Sequence, residues 1–114
     1  SVELGAGWAP AFIERLDDLV AIFGRTEPAL RAFKRKPSEQ LTQQFGFTPF
    51  PTENVARLVE RSNSDLYLFS SDYPHAEGGR NPIGNFEASL VGQNESTCEA
   101  FWSGNFERIF AGVL

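Results

Sequence analysis

The apolar residues of this chain fall into two patterns, short continuous runs and longer stretches with helical spacing. Three short runs, at 2–4, 45–48 and 66–70, are followed by Gly, Pro or polar residues and predict buried strands. Between and after them, apolar side chains recur every three or four residues, which is typical of amphipathic helices. The order strand, helix, helix, strand, helix, strand predicts a parallel α/β sheet or barrel.

Start and stop signals bound the predicted helices. Pro10 suits the first turn of a helix that ends at Gly24, and Thr26 is a predicted cap for a shorter helix that runs to about Phe33. Further helices are predicted over residues 38–44, from 52 to about 61, over 86–91, over 96–102, and from Asn105, as a cap, through Phe110.

Several polar residues follow directly after the third apolar run. Ser71, Asp72, His75 and Glu77 come just after the apolar run at 66–70. The carboxyl ends of strands carry ligands and catalysis in α/β folds, so Asp72 is a candidate metal ligand or general base. The alternative is a simple turn, because Asp accepts hydrogen bonds from the backbone two residues on and Pro fixes the next φ.

Composition places the chain among ordinary soluble domains. With 114 residues, 41% of them hydrophobic and 22% charged, it is one domain or less with enough apolar residues for a core. No apolar run approaches the roughly 20 residues of a membrane span, and the first residues lack the pattern of a signal peptide, so we expect neither. A single cysteine, Cys98, cannot form an internal disulfide, so we expect a reduced, cytoplasmic setting.

The charge pattern argues against a nucleic-acid surface. The net charge is −5, and the basic residues cluster only at Arg31, Lys34, Arg35 and Lys36. A nucleic-acid binder built on this cluster would need more positive charge and interleaved aromatic residues. Position near a helix C-terminus accounts for these cations through the helix dipole.

Three strands are too few to close a barrel, and a sheet this small leaves its edges unpaired. The sequence also begins inside an apparent buried element at 2–7 and contains no methionine. We therefore expect residues 1–114 to form either the last part of a larger fold or a homo-oligomer.

Several motifs resemble, in the same order, the amidohydrolase-related family of metal-dependent enzymes, which includes aminocarboxymuconate-semialdehyde decarboxylase and related decarboxylases, hydratases and hydrolases. The resemblance covers nearly all of the chain, and Ser-Asp-Tyr-Pro-His is its most specific part. The motifs are Gly5-Ala6-Gly7-Trp8-Ala9-Pro10 with Glu14-Arg15-Leu16-Asp17, Lys36-Pro37-Ser38-Glu39, Ser71-Asp72-Tyr73-Pro74-His75 with Glu77-Gly78, and Gly104-Asn105-Phe106 with Arg108-Ile109-Phe110.

The resemblance implies that the chain corresponds to the C-terminal part of a (β/α)8 TIM barrel, about strands six to eight and the closing helices. It also implies a catalytic divalent metal, usually zinc, held by a His-x-His on strand one, a histidine on strand five and an aspartate on strand eight. Asp72 matches that aspartate. The other ligands fall outside this sequence, and a site with three or four ligands cannot be assembled from one histidine and one matching carboxylate.

Other candidate site residues follow from the same resemblance. His75 is a candidate catalytic residue, with pocket lining and a loop-fixing hydrogen bond as alternative roles. Arg15 matches an arginine that reaches a substrate carboxylate across a dimer, and its alternative is a surface pair with Asp18. Trp8 is a candidate pocket wall or a packing residue. The position of a strand-six histidine is occupied by Leu4, with Glu3 before it.

Two hypotheses of different classes result. The first is a C-terminal segment of a metal-dependent hydrolase or decarboxylase that acts on a small carboxylated substrate and is inert by itself. The second is a stand-alone α/β interaction module without catalysis, whose Phe-rich faces are buried in a homo-oligomer.

Overall fold

A computed structural model describes residues 1–113 and shows a largely helical chain. Among these residues the α-helices are α1 (Ala9–Phe23), α2 (Pro28–Arg31), α3 (Pro37–Gln44), α4 (Val55–Glu60), α5 (Pro82–Ser89), α6 (Glu95–Glu99) and α7 (Asn105–Ile109). Short 3-10 turns cover Ser64–Leu66 and Ala76–Gly78, and a π-helical segment, Ala100–Gly104, joins α6 to α7. No helix within the described range has the length and apolar character that crossing a bilayer requires.

The predicted strands are reduced to contacts of single residues. Phe47 forms one parallel bridge with Tyr67, through Phe47 N donating to Leu66 O at 2.7 Å and Leu68 N donating to Phe47 O at 2.9 Å. On its other side, Ser1 N donates to Gly46 O at 2.6 Å and Thr48 N donates to Ser1 O at 3.1 Å. The three extended segments therefore lie side by side, with the segment at 46–48 in the middle.

The prediction of three full strands is wrong for the described residues, and local geometry explains why. At Glu3 the backbone has φ of 61°, a left-handed conformation that no strand accommodates, so the first segment turns away at once. Pro49 and Pro51 follow the second segment and cannot donate to a ladder. In the third segment, Phe69 N donates to Phe101 O at 2.9 Å. The acceptor therefore belongs to the π-helical segment and not to a neighbouring strand.

The core surrounds the central bridge. Phe47 and Tyr67 are 2% and 0% exposed, and the helices contribute further fully buried side chains such as Val55, Phe86 and Phe101. Trp8 packs edge-on against Phe47, with ring centroids 5.4 Å apart. The buried face of α1 and an aromatic cluster formed by Phe86 of α5 with Phe101 and Trp102 of the π-helical segment thus complete the core around the extended segments.

Hydrogen bonds from two residues of α7 connect this helix to the core. Asn105, 3% exposed, donates from Nδ2 to Ser64 O at 2.8 Å and to Tyr67 O at 2.9 Å. Arg108 donates to Asp65 O at 2.6 Å. The prediction that Asn105 caps α7 is wrong, because its side chain is engaged with the 64–67 backbone instead.

Candidate functional site

The carboxyl ends of the three extended segments surround one cavity of about 230 Å³, which we call the carboxyl-end cavity. Its lining comes from all three segments, namely residues 2–3, 48–50, 70–73 and 75. Parallel segments bring their carboxyl ends to the same edge, which is where ligands bind in α/β folds. The short ladders therefore still assemble the edge that the sequence predicts.

Asp72 lies at this edge with an exceptional backbone conformation. Its φ is 55°, a left-handed value that Asp tolerates better than most residues, and its side chain is 17% exposed. The following turn contains a cis Tyr73–Pro74 bond and is closed by His75 N donating to Asp72 O at 2.8 Å. Non-glycine residues in left-handed conformations are concentrated at functional sites.

The carboxylate of Asp72 is not used to tie up local backbone amides. Between residues 1 and 113 it accepts no hydrogen bond, and the local amides use other acceptors: Ser70 Oγ accepts from Asp72 N at 3.3 Å and Ser71 Oγ accepts from Tyr73 N at 3.4 Å. The simple-turn alternative for this carboxylate has no support in these contacts. Asp72 instead presents an acceptor group to the carboxyl-end cavity.

His75 lies between two carboxylates. Its Nδ1 is 4.0 Å from Asp72 Oδ1 and 4.0 Å from Glu3 Oε1, and its side chain is 53% exposed. Glu77 completes a group in which ligand atoms of Asp72, His75 and Glu77 lie within 4.8 Å of one another. Carboxylate and imidazole donors at this spacing fit a divalent cation, with zinc accepting both types.

Glu3 is a contributor that the sequence only partly identifies. The resemblance implies a histidine at the position of Leu4, but Leu4 is 66% exposed and absent from the cavity lining. Glu3 lines the cavity instead and reaches His75. The left-handed backbone at Glu3 turns the chain at this point, and sequence spacing gives no direct signal of that turn.

Arg15 and Trp8 lie outside the carboxyl-end cavity. Arg15 is exposed on α1 and makes no ion pair with Asp18 or another described residue. Trp8 packs on Phe12 and Phe47. Neither residue is among those that line the cavity, so their substrate-binding roles stay predictions. For Arg15 that role would require a second subunit.

A fourth carboxylate, Glu53, accepts backbone hydrogen bonds next to the site. It accepts from Ala6 N at 2.8 Å, Gly7 N at 2.6 Å and Phe50 N at 2.8 Å. A Cβ on Gly7 would lie 2.8 Å from Glu53 Oε1, so a side chain at position 7 would displace this carboxylate. The Gly-Ala-Gly turn therefore approaches a structural carboxylate, a role the sequence pattern leaves unassigned.

Comparison with known proteins gives a likeness at the level of structure. No protein-family model matches the sequence, and no curated protein matches it. Among solved structures, the chain is similar to an amidohydrolase from Mycobacterium avium subsp. paratuberculosis K-10, at 29% identity and a TM-score of 0.71. The match covers 96% of this chain and 27% of that one, so the chain spans about a quarter of its neighbour's length.

This likeness supports an amidohydrolase-like family at a coarse level. The coverage is consistent with a fragment of a TIM-barrel fold, although the described residues are mainly helical and contain only one parallel bridge. The likeness supports an enzyme-family parent at the same coarse level, and the Asp72, His75 and Glu77 group has the donor atoms that could hold a metal ion.

Proposed function

We propose that this chain is the C-terminal segment of a metal-dependent hydrolase or decarboxylase of the amidohydrolase-related family, acting on a small carboxylated substrate. The observation that carries the proposal is the position of Asp72, whose free carboxylate faces a cavity at the carboxyl ends of three parallel segments. The motifs resemble the aminocarboxymuconate-semialdehyde decarboxylase-like branch, and that branch is part of the proposal.

In this proposal Asp72 holds a divalent metal, most simply zinc. The ion would supply Lewis-acid activation of water and of a substrate oxygen. Asp72 orients the site and accepts a proton, while His75, between Glu3 and Asp72, lines the cavity and can carry a proton. The remaining ligands come from parts of the parent enzyme outside this sequence.

Charge also favours a cation at this site. The described residues that line the carboxyl-end cavity include Glu3 and Asp72 but neither lysine nor arginine. A carboxylated substrate would be repelled there unless a metal or an arginine from another subunit balanced the charge. Arg15 of a second subunit is the proposed clamp for the substrate carboxylate in a homo-oligomer.

Metal titration tests the proposal. We expect calorimetry to show weak zinc binding by the 114-residue chain, and Asp72→Asn to reduce what remains. Asp18→Asn, an exposed carboxylate on α1, is the matched control. In the parent enzyme, Asp72→Asn should remove metal and activity together, as measured by elemental analysis and turnover. Full metal content in the Asp72→Asn parent would refute the ligand assignment.

The alternative is a stand-alone module that self-associates without catalysis. The observation that favours it is the half-exposure of aromatic side chains away from the cavity, such as Phe12 at 45% and Phe23 at 49%. Light scattering distinguishes the two proposals in part. A chain that stays ordered and unaggregated by itself would favour the module, whereas aggregation would favour a severed barrel with unpaired edges.

A further inference from the structure

A second concave site lies between α1, α2 and α3. This helical groove has a volume of about 540 Å³ and shares no lining residue with the carboxyl-end cavity. Leu16, Leu19, Val20 and Phe23 of α1 form one wall, and Phe33 and Phe45 lie opposite. Apart from two glutamines, every lining residue is apolar.

The apolar lining is only partly covered by the rest of the described chain. Phe23, Phe33 and Phe45 are 49%, 52% and 46% exposed. Contiguous exposed apolar surface of this kind marks ligand grooves or interaction sites. The groove therefore has the character of a binding surface rather than of a core.

The size of the groove favours a small molecule over a long helix. Its α1 wall runs from Leu16 to Phe23, which corresponds to about 10 Å at the helical rise of 1.5 Å per residue. Its volume falls within the range of roughly 300–1,000 Å³ that is usual for small-molecule pockets. A ligand with one short apolar body fits these dimensions.

Charged residues next to the groove favour a ligand with a negative charge. The chain between the lining residues Phe33 and Pro37 consists of Lys34, Arg35 and Lys36. Across residues 16–45, the range that the lining spans, there are five lysines or arginines and four acidic residues, a net charge of +1 in a chain of net charge −5. Two of those acidic residues, Asp17 and Glu39, line a different cavity. Arg35 donates to Gln43, whereas Lys34 and Lys36 are exposed. An anionic head group at this rim is thus favoured.

We propose that the helical groove binds a small apolar carboxylate, with its tail against the α1 wall and its head group beside Lys34 and Lys36. This second site is independent of Asp72 and of any metal. It adds a ligand-binding function to the one proposed for the carboxyl-end cavity.

Two ligands with the same tail and opposite charge test the proposal. Decanoate and decyltrimethylammonium are titrated into the chain by calorimetry, below the concentrations at which either aggregates. We expect decanoate to bind with one-to-one stoichiometry and the cation to bind at least about tenfold more weakly. The double charge reversal Lys34→Glu with Lys36→Glu should weaken the binding of decanoate by about tenfold. The control reversal Arg57→Glu with Arg80→Glu should leave the affinity for decanoate unchanged.

A further variant keeps the test independent of the surface charges. Leu19→Glu places a carboxylate on the groove wall and should abolish decanoate binding, with circular dichroism confirming the helical content. Asp72→Asn should bind decanoate normally, so a failure of the metal assignment does not affect this result. Equal binding of both ligands, or no binding of decanoate, would overturn the proposal. So would a rise in solution mass with protein concentration that Leu19→Glu abolishes, since a second copy would then cover the groove.

Discussion

The backbone of Gly78 packs directly against the carbonyl group of Ser71, the residue before Asp72. A Cβ at position 78 would contact Ser71 O and would lie 3.2 Å from the carbonyl carbon of Asp72. The 3-10 turn that carries Glu77 can therefore lie against the Asp72 backbone only because residue 78 has no side chain. This contact sets the spacing of the candidate ligand group.

Gly78→Ala is expected to destabilise the chain by about 1–3 kcal/mol, because overpacking against backbone cannot be relieved by a rotamer change. Urea denaturation measures the free energy of unfolding. Gly104→Ala is the matched control, since its Cβ would lie no closer than 3.5 Å to the nearest atom and its backbone is already helical. Equal stability of the two variants would contradict the close packing at Gly78.

Glu53→Gln should lower the free energy of unfolding by about 2 kcal/mol. The two carboxylate oxygens accept hydrogen bonds from three backbone N–H groups. In glutamine one oxygen is replaced by an NH2 group, which is a donor and cannot accept from the N–H groups that face it. Thermal and urea unfolding monitor the change. Glu60→Gln, at the exposed end of α4, is expected to stay within about 0.5 kcal/mol of the parent chain.

Asn105→Ala should lower the free energy of unfolding by about 2 kcal/mol, because it leaves the carbonyl groups of Ser64 and Tyr67 without their hydrogen-bond donor. Asn105→Asp should cost more, since a carboxylate cannot donate and would face two carbonyl oxygens. The measurement is chemical denaturation at neutral pH. Asn85→Ala on the exposed side of α5 serves as control. Similar losses of unfolding free energy at positions 85 and 105 would contradict the contribution of the Asn105 hydrogen bonds.

Burial raises the pKa of the Tyr67 hydroxyl above its ordinary value of 10.0, although a hydrogen bond with Ser62 at 2.6 Å opposes the shift. The folded chain therefore holds this proton more tightly than the unfolded chain. Stability is expected to be complete below about pH 10 and to fall as the pH rises through the folded pKa.

The test is the pH dependence of unfolding between neutral and strongly alkaline conditions. Tyr67→Phe should flatten the alkaline loss of stability, whereas Tyr73→Phe, at a residue 88% exposed, should leave it in place. An alkaline profile that is the same in the Tyr67→Phe variant would show that another group is responsible.

Local patterns in the sequence predict most helices but not the strands. α1 begins with Pro10 in its first turn and ends before Gly24, as the apolar spacing indicates. The strand at 66–70 is not formed because Phe69 N finds its acceptor at Phe101, a partner more than thirty residues away along the chain. Such long-range hydrogen bonds leave no trace in local periodicity.

The candidate site is predictable where it depends on strand ends. Asp72 and His75 reach the same cavity because parallel segments end at one edge, even when the ladders are only one residue long. The contribution of Glu3 depends on a left-handed backbone, which the sequence does not signal at a glutamate. Other motif residues have structural contacts: Asp17 accepts from Ser38 N at 2.9 Å, and Arg108 binds the Asp65 carbonyl.

The tie from Asn105 to Ser64 and Tyr67 has a consequence for biosynthesis. Because a ribosome releases the chain from its amino end, the 64–67 backbone emerges long before the side chain that satisfies it. Nascent chains that stop short of α7 would expose these carbonyl groups and the aromatic rings around them. Completion of the core is therefore expected only after α7 has been synthesised, and chaperone binding to arrested nascent chains should decline once position 105 has left the exit tunnel.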